Sequence, residues 1–254
     1  MMTLFTQHFG QGNQPLVLLH GWGLNSRVWD FILSPLSPHF SITLIDLPGY
    51  GRSQPFDTLS LDEMASHIAS YIPPQSVVLG WSLGGLVAAQ LAIDFKEKVK
   101  QLIFVASSPC FSQREQWPGI SPEVLGNFQT QLATDFRRTI ERFIALQSLG
   151  TENASLNTRT LKQAIVDQPQ ASLAVLNHGL TILQNDDLRQ KLPSITAPTL
   201  RIYGALDSLV PRKSIPLTDK LWPTSQSIVI EHAAHAPFIS HPQQFCEAII
   251  KFTH

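Results

Sequence analysis

The 254-residue chain is poor in charge, in cysteine and in uninterrupted apolar stretches. Charged residues make up 15% of it, against a usual ~25%, and 18 Lys and Arg nearly balance 19 Asp and Glu. A net charge of −1 gives no global attraction to nucleic acid or to an anionic membrane, so any site for a charged partner must be local. Two cysteines, Cys110 and Cys246, cannot make a disulfide framework and read as buried thiols in a reducing compartment. The first residues, MMTLFTQHFGQGNQP, have neither a basic stretch nor a long apolar one, so no signal peptide is expected. Residues 76–93 are free of charge, yet Gly80, Ser82, Gly84, Gly85 and Gln90 interrupt them. They read as strand, tight turn and buried helix rather than as a membrane span. A soluble, cytoplasmic, monomeric protein is expected.

What is present is an alternation. Residues 16–20, 41–47, 76–80, 99–106, 199–204 and 226–231 are short β-branched or apolar runs bounded by Gly or Pro, the pattern of strands buried on both faces. Helical patterns at 61–72, 86–97, 213–222 and 241–252 separate them. Strand and helix in turn predict an α/β fold with a mostly parallel central sheet flanked by helices. The rhythm stops at 112–187, where no convincing strand appears and helices are expected near 122–149, 154–167 and 171–184. In the first of these Leu132, Phe136, Ile140, Phe143 and Gln147 recur at three- to four-residue steps, one face of a helix. We expect a core of residues 1–111 and 188–254 with an inserted helical lid at 112–187.

Gly80-Trp81-Ser82-Leu83-Gly84 fits G-x-S-x-G, and it lies where a strand runs into a helix. A turn this tight lifts the serine hydroxyl above the sheet, and small flanking residues let neighbouring backbone pass. The Leu83 N–H then sits at a helix N-terminus, able to donate to an oxyanion. A serine needs a base, and the base an orienting acid. Among nine histidines, His235 follows a strand within Ala233-Ala234-His235-Ala236-Pro237, free to reach over the sheet. Asp207 follows another strand end, and the order Ser82, Asp207, His235 is the nucleophile–acid–base order of hydrolases on this architecture. His20-Gly21-Trp22-Gly23 supplies a Gly-rich loop in which the Trp22 N–H is a second oxyanion donor. His20 reads as orienting that loop, Asp46 as a structural turn residue and His232 as a plain loop residue. No metal-ligand or nucleotide-binding motif is present: His232 and His235 have no carboxylate companion, and Gly49-Tyr50-Gly51 lacks the last glycine of G-x-G-x-x-G. Between Arg137 and Lys162, five basic residues face two acids (Glu141, Glu152), a surface that is either an ordinary solvated helix face or a dock for an acidic protein.

These motifs resemble the α/β-hydrolase superfamily. Within it, 18–25 (LLHGWGLN), 80–87 (GWSLGGLV), 105–111 (VASSPCF), 117–120 (WPGI), 138–143 (RTIERF), 209–213 (LVPRK) and 233–242 (AAHAPFISHP) resemble the pimeloyl-[acyl-carrier protein] methyl ester esterase family of biotin synthesis. The likeness spans nearly the whole chain. It implies a serine carboxylesterase without a cofactor or metal, with the triad Ser82, Asp207 and His235 and oxyanion donors at Trp22 and Leu83. It implies a substrate site at Trp22, Ser82, Leu83, Phe143, Gln147 and His235. It further implies an acyl-carrier protein as substrate-bearing partner, docked on Arg138, Arg142 and Arg159. One further arginine of that lid is Ser155 here, which implies either a weaker carrier affinity or substitution by Lys162 or Arg137. A promiscuous short-acyl esterase or thioesterase, or a non-catalytic carrier-binding protein, are the alternative readings.

Overall fold

The computed structural model describes residues 3–166 and 168–254. Seven strands form one sheet: β1 (Thr6–Phe9), β2 (Gln14–Leu19), β3 (Phe40–Ile45), β4 (Ser76–Trp81), β5 (Val99–Val105), β6 (Thr199–Gly204) and β7 (Gln226–Ile230). Their order is β1-β3-β2-β4-β5-β6-β7, parallel except for β1, which pairs antiparallel with β3. Every residue of β4 and β6 is buried, as expected for central strands covered on both faces. The helices α1 (Asp30–Leu36), α2 (Leu61–Ala69), α3 (Leu83–Asp94) and, after the sheet's midpoint, four helices in succession leave from the strand ends. Those four are α4 (Pro122–Thr134), α5 (Phe136–Leu146), α6 (Ala154–Val166) and α7 (Leu173–Asn185). They occupy the connection between β5 and β6. The helices α8 (Ile215–Leu221), α9 (Pro237–Ser240) and α10 (Pro242–Thr253) complete the chain.

The strand order sets the location of the site. From β2 the chain moves outward to β3, then returns across β2 to lay down β4, so the winding reverses between β2 and β4. Open α/β sheets bind ligands above the carboxyl ends of strands at such a reversal. Leu19 pairs with Gly80 across β2 and β4, which brings the residues following each strand, Gly21 and Ser82, alongside one another.

Three differences from the sequence expectation have physical causes. The edge strand β1 has the half-exposed sequence TQHF with no apolar run to reveal it, and its pairing with β3 is tertiary. The helix after Ser82 starts at Leu83, not at 86, because the two glycines in its first turn are dictated by close approach rather than by helix propensity. The single helix expected over 122–149 is two, broken at Asp135, whose backbone is non-helical (φ −144°, ψ 76°) and whose carboxylate caps α5 at the Arg138 N–H (3.2 Å). Leu132, Ile140, Phe143 and Gln147 are nonetheless all buried on one side of the pair. Asp167, the expected end of the next helix, lies outside the described residues.

A cation sits in the all-buried strand β6. The Arg201 guanidinium has no solvent exposure, and its donors are taken up by Ser225 Oγ (2.9 Å), the Tyr203 hydroxyl (3.3 Å) and the Asp219 carboxylate. A buried charge is tolerated on such terms only. Cys110 and Cys246 are both buried with free thiols. Among the described residues no helix is long and apolar enough to cross a membrane.

Candidate active site

Ser82 occupies the turn between β4 and α3 with φ 57° and ψ −119°, a left-handed conformation that costs a side-chain-bearing residue about 1–3 kcal/mol. The surroundings over-determine it. A Cβ on Gly80 would lie 2.1 Å from the Gly84 carbonyl oxygen, and one on Gly84 2.4 Å from the carbonyl oxygens of Leu19 and His20. These are backbone atoms with nowhere to go, so both glycines of the motif are sterically required. Backbone bonds fix the turn from two sides: the Ser82 N–H donates to the Val105 carbonyl (3.0 Å), and Ser107 Oγ donates to the Ser82 carbonyl (2.7 Å). Ser107 had no signal of its own in the sequence; its hydroxyl is also what a Cβ on Gly85 would strike, at 2.5 Å.

His235 and Asp207 meet across the ends of β7 and β6. His235 Nδ1 lies 2.8 Å from Asp207 Oδ2, with both side chains buried. The other Asp207 oxygen accepts the N–H groups of Leu209 (2.8 Å) and Val210 (3.0 Å), so both oxygens have donors and the carboxyl group is fixed in place. With Nδ1–H given to the carboxylate, Nε2 carries the lone pair; it is buried and has no partner among the described residues. Gly204 makes this meeting possible. A Cβ there would lie 2.1 Å from the Ala234 carbonyl oxygen and 2.5 Å from that of Ala233, so only glycine lets the Asp207 loop and the His235 loop touch.

The loop after β2 runs beside the serine. A Cβ on Gly21 would be 3.3 Å from the Ser82 Cβ. Trp22 follows, buried, with its indole Nε1 donating to the Leu176 carbonyl of α7 (2.8 Å). Its ring meets Phe143 of α5 edge-on at 4.8 Å and Phe128 of α4 at 5.9 Å. Leu83, first residue of α3, has no carbonyl one turn back for its N–H. Gln147, at the C-terminus of α5, accepts the His235 N–H on its carbonyl (3.1 Å) and turns its side-chain amide to Phe143 (3.2 Å). The structure thus brings Ser82, Leu83, Trp22, Phe143, Gln147, Asp207 and His235 into one buried cluster beneath α4, α5 and α7. It leaves Arg138, Arg142 and Arg159 on the outer surface of α5 and α6.

His20 and Asp46 are structural, as their sequence context suggests. His20 Nδ1 donates to the Gly21 carbonyl (2.8 Å) and Nε2 accepts the Leu47 N–H (2.9 Å), so the ring is neutral and splints the two loops. Burial holds its pKa below the ordinary histidine value. Asp46 accepts from the Ser26 and Arg52 N–H groups (2.8 and 2.9 Å) and pairs with the Arg52 guanidinium. Burial alone would raise its pKa; the hydrogen bonds from Ser26 and Arg52 outweigh burial and hold it low. His232 is an exposed loop residue with φ 62°. Among the described residues no three His, Cys, Asp or Glu side chains are grouped to hold a metal ion.

Comparison with known proteins places this geometry. Residues 14–242 match the family described as alpha/beta hydrolase fold. A pimeloyl-[acyl-carrier protein] methyl ester esterase of Citrobacter koseri is 57% identical over 250 residues, 98% of either chain. One from Salmonella agona is 56% identical over the same share of each. Among solved structures, an esterase from Exiguobacterium antarcticum superposes with a TM-score of 0.88 at 24% identity, over 98% of this chain and 94% of its own. A bromoperoxidase from Bacillus anthracis does so with a TM-score of 0.88 at 22% identity, over 98% and 95%. At such identities those two bear on the fold alone.

Two outcomes are expected. Gly204→Ala forces the Asp207 and His235 loops apart and costs about 1–3 kcal/mol of stability, read as a lower urea midpoint together with a loss of ester hydrolysis; an unchanged midpoint contradicts the close approach. His20 resists protonation only when folded, so between its lowered pKa and the ordinary 6.5 the unfolded chain binds more protons. Stability is therefore full above that range and falls as pH drops through it, by up to about 1.4 kcal/mol per pH unit. His20→Gln should flatten this slope in unfolding measured between pH 7.5 and 5.5, and an unchanged slope would assign the acid sensitivity elsewhere.

Proposed function

The chain belongs to the alpha/beta hydrolase fold family, and from that premise we propose that it is a serine esterase that removes the methyl ester of pimeloyl-[acyl-carrier protein] in biotin synthesis. The observation that carries the substrate is the 57% identity over 98% of the chain, which takes in the helices above the site as well as the sheet below. A shared sheet alone fixes no substrate.

The residues perform the reaction as follows. His235 Nε2 takes the proton from Ser82 Oγ, and the oxygen attacks the ester carbonyl. Negative charge gathers on the carbonyl oxygen, where the N–H groups of Trp22 and Leu83 receive it; one such donor is worth about 3–4 kcal/mol of barrier. The tetrahedral species collapses, the C–O bond to methoxide breaks, and His235 returns its proton so that methanol departs. Water then repeats the attack on the acyl-serine with His235 as base, freeing the pimeloyl carboxylate and Ser82. Asp207 stays ionised throughout, fixing the tautomer and stabilising the imidazolium. Every atom comes from substrate, water and these side chains, so the cycle asks for no cofactor. The apolar underside of the lid, with Phe143 beside Trp22, takes the chain methylenes at about 0.8 kcal/mol each. The free thiols of Cys110 and Cys246 support a reducing, cytoplasmic setting.

The carrier docks on the outer face of the lid. Arg138, Arg142 and Arg159 are exposed there and suit an acidic surface. Arg142 also reaches Gln131 (3.1 Å), and Lys162 is 3.6 Å from Glu141, so Lys162 replaces a lid arginine only in part. Ser155 is exposed and uncharged, and the Arg137 side chain lies outside the described residues.

Hydrolysis of the carrier-borne methyl ester and of a short aryl ester separates dock from site. In Arg138→Ala/Arg142→Ala/Arg159→Ala, three exposed ion pairs at about 0.2–1 kcal/mol each should lower kcat/KM for the carrier ester roughly three- to hundred-fold, mostly through KM and less at high salt. The aryl ester should be untouched. Equal rates on the carrier ester in variant and wild type would remove the dock and leave a general esterase.

A further inference from the structure

We propose that Trp81, the residue before the serine, is a positioning residue for the base, acting through the main chain of His235. The proposal rests on the reading of His235 as base and goes beyond it, because nothing in the G-x-S-x-G pattern assigns a role to its second residue.

The side chain of His235 is oriented by Asp207, but a ring pivots about its own Cα. What holds that Cα is a separate set of contacts. The Trp81 indole Nε1 donates to the His235 carbonyl at 2.7 Å, and the His235 N–H donates to the Gln147 carbonyl at 3.1 Å. The two peptide groups flanking the base are therefore each pinned, one by the core and one by the lid. The core pin is the stiffer. Trp81 is 1% exposed, and its ring is wedged against Trp29 (6.2 Å) and, edge-on, Phe238 (4.9 Å), while the His235 ring lies 5.7 Å away.

The covalent path makes this contact specific. Trp81 ends β4 and is bonded directly to Ser82, whose own backbone is locked by Val105, Ser107 and the flanking glycines. Nucleophile and base are thus joined by one peptide bond, one rigid indole and one hydrogen bond. His235 lies 153 residues further on in sequence, in the segment between β7 and α9. A displacement of about 1 Å between reacting groups costs on the order of a hundredfold in rate, so a short rigid strut between them is consequential. Trp81→Phe removes the donor together with one ring of the buried indole, whereas a bicyclic isostere without the N–H removes the donor alone.

The test is a double-mutant cycle on a short aryl ester, with Trp81→Phe, His235→Ala and the pair. The expected result is a loss of tenfold or more in kcat for Trp81→Phe with KM within about twofold, and no further loss when Trp81→Phe is added to His235→Ala. An indole that merely supports the turn or the oxyanion loop would depress the residual rate of His235→Ala by the same factor as it depresses wild type. That result overturns the proposal, as does a folded Trp81→Phe with wild-type kcat. Should Trp81→Phe lose cooperative unfolding, site-specific 3-benzothienylalanine at position 81, which keeps the bicyclic shape and lacks the N–H, is read by the same two criteria. The underlying reading fails separately, if His235→Ala alone retains the wild-type rate.

Discussion

The left-handed turn at Ser82 is the constraint on which the rest of the structure depends. Such a backbone persists only where its neighbours leave it no alternative, and each neighbour in turn has its identity fixed. Gly80 and Gly84 exist because backbone oxygens stand within 2.4 Å of where a side chain would begin. Gly21 brings the loop after β2 against the serine Cβ, and Ser107 ties the turn to the segment that follows β5. The turn starts α3 immediately, so the helix N-terminus and the hydroxyl belong to one rigid unit. What this strain provides, in the function proposed, is a nucleophile whose direction is set before any substrate arrives.

The helices above the sheet are bonded to the site rather than merely laid over it. Trp22, in the loop after β2, gives its indole N–H to α7 and its ring to Phe128 and Phe143. Gln147 at the end of α5 accepts the His235 N–H. The same helix that displays Arg138 and Arg142 outward thus meets Trp22 inward through Phe143. Carrier docking and acyl placement, in the function proposed, would be read by two faces of one element.

Much of this was legible in the sequence because the relevant signals are local. Buried parallel strands read as apolar runs, so six strand positions come out within about two residues of their ends, and the G-x-S-x-G turn declares itself between strand and helix. The resemblance to a hydrolase family implies a substrate role for Phe143 and Gln147, which periodicity alone leaves as core. The remainder was out of reach for a physical reason: it consists of contacts between distant segments. The strand β1 exists only by pairing with β3. Asp135 breaks a continuous helical pattern because its side chain caps the next helix, a choice between two local states that packing decides. Trp81, Ser107 and Gly204 look unremarkable in sequence, and their importance appears only when a hydrogen bond or a backbone oxygen is found at the other end.

The most direct measurement is the turnover of pimeloyl-[acyl-carrier protein] methyl ester by Ser82→Ala, with its unfolding temperature taken alongside. A serine that carries the acyl group accounts for a loss of four orders of magnitude or more, with the fold intact. A folded Ser82→Ala that releases methanol within tenfold of the wild-type rate would contradict the account at its centre.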